Sequence, residues 1–300
     1  MRRLRACPAA GFSCLLVSGM RSTPPPRAGP RPPGPPIRVL LAVVGVLAGA
    51  AIGRAAEPAP ASAEAWQTLS LGDDTQAASQ FAGIGATREA ELGAALAAIN
   101  RPPVTPTSLH DAQRQLTELA RTADDPGHAA HYFLGRLLQL HPFAPDPAAA
   151  VREYEALVAT GADDRWCRLA LIKLVILRLT LVPGPGDLAA RQAAVEAALT
   201  RTADAGTRRD LHLVIAEARL GDERYDAVTL GHLRAALAAT APADILRPDL
   251  LIQTGRLASR LGDRPVARAS YAAFLRDYPK ERRTFTVSSA LEHLDGPFPP

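Results

Sequence analysis

His128, His131 and His141 are the only residues of the chain whose types and spacing suggest a metal site. His128 and His131 fall on one face of a helix, three residues apart. His141 lies nearly three turns further on, and no carboxylate shares their register. The expectation is therefore no metal site. Other chemistry is scarcer still. There is no nucleophile elbow of the form G-x-S-x-G, no HExxH, no phosphate-cradling glycine loop and no CxxC pair. The acidic doublets Asp73-Asp74, Asp124-Asp125 and Asp163-Asp164 stand at turns and helix starts. Capping accounts for them better than acid–base catalysis. Cys167 lies in "WCRLALIKLVIL", a strongly apolar run, and reads as a small core residue with no base beside it. No catalytic, cofactor-binding or metal residues are expected, and no cofactor.

The elements that carry these residues read as helices. Of the 300 residues, 47% are hydrophobic but only 5% aromatic, so the core must come from Leu, Ala, Val and Ile in close-packed helices. Apolar residues recur at i, i+3, i+4 and i+7 in "REAELGAALAAI", "HYFLGRLLQL", "WCRLALIKLVIL", "DLHLVIAEARL" and "LLIQTGRLASRL". Each is followed by a turn and a second helix. Asp73, Asp146, Asp187, Asp222 and Asp263 stand where those second helices begin. An Asp there accepts unpaired backbone N–H groups, and a preceding Gly permits a left-handed turn. "SLGDDTQAASQF", "RLGDERYDAVTL" and "RLGDRPVARASY" are three versions of this hinge. A spacing of 35 to 41 residues from Asp146 onward is a helical-repeat period.

The unit from Pro248 to Pro279 resembles a tetratricopeptide repeat, a family with L-G and Y on helix A, A-x3-F on helix B and a closing Pro. Leu251, Gly255, Gly262, Ala267, Tyr271, Phe274 and Pro279 carry the resemblance. Trp166, Leu169 and Ala170, Leu134-Gly135 with Ala150 and Tyr154, and Leu92-Gly93 with Ala112 carry it more loosely, with longer turns. The resemblance covers most of residues 63–295. It implies an all-α, right-handed superhelical solenoid of stacked antiparallel helix pairs, with repeats over 63–281 and a capping helix and tail over 282–300. It further implies a concave surface lined by helix A, where Tyr132, Arg136, Gln139, Arg208, Arg219, Arg256, Ser259 and Arg260 would form a groove.

Charge separates the two ends of the chain. Residues 1–56 hold eight arginines and no acid, leaving 26 basic and 30 acidic residues in the remainder. A mildly acidic folded part argues against nucleic acid. Val39 to Gly53 is an uncharged apolar run of 15 residues between Arg38 and Arg54, within an apolar stretch at 37–53. That length suits a signal-peptide core better than a membrane span, with a short retained anchor as the alternative. Residues 57–62 read as a linker, and the chain can start at Met1 or Met20. The expected role is a non-catalytic scaffold or adaptor in the bacterial cell envelope, periplasmic or anchored facing the periplasm. Its partner would be a protein or peptide, an acidic one if the arginines line the groove. The alternatives are a self-assembling solenoid component and an accessory subunit of peptidoglycan or envelope assembly. Any membrane contact would run through the uncleaved N-terminal segment.

Overall fold

The computed structural model describes residues 61–182, 193 and 195–294. The expected leader at 1–56, most of the linker, the helix start at Asp187 and the end of the C-terminal tail lie outside these residues. Every described element is helical, which makes this part of the chain all-α and repeat-like. In order they are α1 (Ala61–Ser70), α2 (Asp74–Ile84), α3 (Arg88–Asn100), α4 (Pro106–Leu119), α5 (Asp125–Leu140), α6 (Pro147–Ala159) and α7 (Arg165–Thr180). After a 3-10 turn at Ala197–Arg201 come α8 (Ala205–Gly221), α9 (Ala227–Ala238), α10 (Arg247–Arg260), α11 (Arg264–Asp277) and α12 (Thr284–His293). None of these helices is long and apolar enough to cross a membrane.

Neighbours in sequence are neighbours in space. From α1 to α7, and again from α8 to α12, each helix packs on the next, and α7 also packs on α8. The odd-numbered helices α1, α3, α5 and α7 also touch one another in turn. The C-terminal core joins Leu230, Leu233, Leu250, Leu251, Leu257, Tyr271 and Phe274, all buried. A smaller cluster at the other end centres on Phe81 and Ala77.

Glycine sets the closeness of the pairs. A Cβ on Gly255 would stand 2.4 Å from Tyr271 Cε1, and one on Gly135 would stand 2.6 Å from Tyr154 Cε1. Both distances are far inside van der Waals contact, so helix A meets the aromatic ring of helix B only where no side chain intervenes.

The caps follow the sequence expectation with one correction. Asp73, Asp146 and Asp263 accept backbone N–H groups at the starts of α2, α6 and α11. Gly72 and Gly262, just before two of them, hold φ near +80°. Asp222, by contrast, ends α8 instead of starting α9. Glu223 takes the left-handed conformation there, at φ 58°. The chain runs on to Asp226, whose carboxylate accepts Thr229 N–H at 2.9 Å.

A second series of aspartates repeats more regularly. Asp124, Asp164 and Asp204 cap α5, α7 and α8, and Asp244 precedes α10, each 40 residues after the last. Each also meets a basic residue near the start of the preceding helix of the series. Arg88 donates to both oxygens of Asp124 at 2.7 and 2.9 Å. His128 Nδ1 lies 2.5 Å from Asp164 Oδ2, Arg168 lies 3.9 Å from Asp204, and Arg209 reaches Asp244 at 2.6 Å. These are rungs between successive helix starts. Arg88 holds the Asp124 carboxyl below the usual carboxylate range, and Thr207 N–H and hydroxyl do the same for Asp204.

Candidate functional site

Helices α5 and α7 carry the most unusual electrostatics of the described residues. Lys173 interrupts the apolar run of α7 and is largely withdrawn from water. Burial pushes its ammonium down to about 8, and the positive charge of Arg136 on α5 adds to the shift. Neither Lys173 nor Arg136 has a carboxylate partner among the described residues. Arg136 Nε is buried with no hydrogen-bond partner, and so is Gln139 Oε1 one turn further along α5. A desolvated ammonium and a half-buried guanidinium, with unspent polar atoms beside them, form a local positive site. Such a site suits a carboxylate or other anion that brings its own acceptors.

The other groove residues divide. Tyr132 is 4% exposed and packs among Phe133, Tyr154 and Trp166 with ring centroids 5.4 to 6.0 Å apart. It belongs to the core beneath the site, not to its surface. Arg219 is 6% exposed. Its Nε donates to Thr229 Oγ1 at 3.0 Å and a terminal nitrogen donates to Asp226 at 2.8 Å, so it fastens α8 to the cap of α9. Placing these two on a groove wall is corrected by their burial. Arg208 is exposed on α8. Arg256 and Arg260 are exposed on α10 with Ser259 half-buried between them, and the Arg260 guanidinium stacks 3.5 Å from the Tyr225 ring centroid. Arg136 and Gln139 are thus joined by Lys173, which the sequence reading did not select. Its one detectable signal is a lysine in a chain with only two.

The three histidines do not converge. His131 Nδ1 pairs with Glu153 at 3.0 Å, and His141 Nδ1 accepts the N–H groups of Phe143 and Ala144. His128 instead meets the cap and the first turn of α7. Its ring, the Asp164 carboxylate and the Cys167 thiol bring one donor atom each within 4.8 Å of one another. Cys167 is buried, as expected from its apolar run, but His128 and Asp164 stand near it where the sequence suggested no base. Burial pushes its thiol up, and the Asp164 charge adds to that.

Compared with protein-family models and with curated proteins, the chain matches none.

Proposed function

We propose that this chain is a non-catalytic, tetratricopeptide-like scaffold that captures an extended acidic segment of a partner protein across α5 and α7. The observation that carries this reading is the pair Lys173, whose ammonium burial pushes down to about 8, and Arg136, whose buried Nε has no hydrogen-bond partner, with no carboxylate paired to either among the described residues. A buried cation without a counter-ion lowers stability, and an incoming carboxylate supplies what the fold lacks. The stack of odd-numbered helices, the glycine–aromatic crossings and the 40-residue rungs support a solenoid of helix pairs, each covering the face its neighbour leaves bare. The 40-residue spacing is longer than the 34 residues of a tetratricopeptide unit, in keeping with the lengthened turns. The arginine-flanked apolar run Val39 to Gly53 supports a place in the cell envelope, by export or by anchoring.

The test is fluorescence anisotropy with a labelled Glu/Asp-rich peptide and its Gln/Asn counterpart. The acidic peptide should bind saturably and the neutral one should not. Arg136→Glu should weaken binding by more than ten-fold with helicity unchanged, while Arg208→Glu should leave it within two-fold. Equal affinity for the two peptides, or full binding by Arg136→Glu, would sink the assignment.

A second reading, self-assembly through the ends, is favoured by Phe285, which is 85% exposed on the last helix α12. Light scattering separates the two: mass rising with concentration, and reversed by Phe285→Ser, would support it.

A further inference from the structure

One rung of the ladder differs from the others in two places at once. Arginine is the basic partner of Asp124, Asp204 and Asp244, but Asp164 faces an imidazole, that of His128. Three residues after the capping aspartate, α5 has Gly127 and α8 has Thr207, but α7 has Cys167. Either change alone would leave an ordinary rung. Together they set a nitrogen, an oxygen and a sulfur ligand around one point.

The cap geometry holds the three in place. Asp164 Oδ1 accepts the N–H groups of Trp166 and Cys167 at 2.8 and 2.9 Å, which fixes the carboxylate and leaves Oδ2 to face His128. The same turn carries the Cys167 side chain to that carboxylate. His128 is 8% exposed, and its Nε2 has no hydrogen-bond partner among the described residues, so the Asp164 contact is the only polar tie the ring makes to them. The thiol makes only long contacts, to Leu157 O at 3.5 Å and Thr160 Oγ1 at 3.6 Å.

We propose that His128, Asp164 and Cys167 bind a divalent transition-metal ion, of which Zn2+ is the type. A thiolate, an imidazole and a carboxylate together select a borderline-soft ion over Mg2+ or Ca2+. Metal–ligand distances of about 2.0–2.3 Å in a tetrahedral set require Nδ1 and Oδ2 to part by about 1 Å, which a small turn of the His128 ring provides while the capped carboxylate stays in place. Binding forms a metal–sulfur bond, and the thiol proton passes to solvent. One position is left for water. The ion then clasps α5 to α7 where the other rungs use an arginine.

Co2+ is the probe, added to the full chain both after folding and during refolding. The expected result is a thiolate-to-cobalt charge-transfer absorption that saturates at one equivalent and is displaced by Zn2+. Cys167→Ser, nearly isosteric, should abolish the band. His128→Arg should abolish it too, while keeping the melting temperature within a few degrees of wild type, because it restores the arginine rung used elsewhere. Cys7 and Cys14 remain in every variant, so a band that survives Cys167→Ser belongs to them and overturns the site. Absence of a band in the wild type overturns it equally.

Discussion

The ring of Tyr154 occupies the space where a side chain on Gly135 would be, with Cε1 2.6 Å from the position of a Cβ. Tyr154 is fully buried, so the ring has nowhere to retreat. Gly135→Ala should therefore destabilise the chain by about 1–3 kcal/mol, despite the better helix propensity of alanine. Gly255→Ala, facing Tyr271 in the same way at 2.4 Å, should cost a similar amount. Gly83→Ala, where nothing lies within 4 Å, should be neutral or slightly stabilising. Urea unfolding of the three variants checks the ranking, and equal midpoints would refute close helix crossing at these positions.

Lys173 gives a prediction with a definite sign in pH. Its ammonium is pushed down to about 8 by burial, from an ordinary value of 10.5. The folded state therefore holds its proton less readily than the unfolded state does. The resulting penalty is complete below about pH 8 and fades as pH rises toward 10.5. Lys173→Met should raise stability at pH 7 by about 1–2 kcal/mol, after discounting for solvent that reaches the side chain. That gain should shrink by pH 10. A gain that is the same at both pH values would show that packing, not charge, is responsible. The same variant should lose acidic-peptide binding, since the feature that weakens the fold is the one proposed to bind.

Helices α8 and α9 share a histidine pair that acts in the same direction, in a more acidic window. His212 Nδ1 and His232 Nδ1 are 2.9 Å apart, so one ring must be neutral and accept. Burial lowers His212, with His232 adding to the shift. Burial also lowers His232, against partial compensation from Glu196. The folded state therefore resists protonation that the unfolded chain accepts near pH 6.5. Stability is intact above that value and falls as pH drops below it. Melting temperatures from pH 7.5 to 5 should fall more steeply for wild type than for His232→Gln. Parallel curves would place the acid sensitivity elsewhere.

The helices were legible because their periodicity and caps are local. Asp73, Asp146 and Asp263 begin helices for the reason their sequence context suggests: a carboxylate beside unpaired N–H groups needs no distant partner. Asp222 misled because Leu-Gly-Asp is shared by two outcomes, and Glu223 rather than the glycine takes the left-handed turn. The site was harder to read. Arg219 and Tyr132 have the right register for a surface, but the depth at which each lies depends on residues from other helices. Lys173 was hidden by its apolar neighbours, which made the run look like uniform core. The ladder was hidden differently. Asp124 and Asp164 were recognisable as caps, but one carboxylate oxygen suffices to cap, and the partner of the other lies 36 residues away.

That ladder has a mechanical consequence. Each rung joins the start of one helix to the start of the next in its series, and none among the described residues reaches further along the chain. Pulled from its ends, the molecule would lengthen in steps instead of snapping once. Opening one rung frees at most about 140 Å of extended chain, the contour of some forty residues.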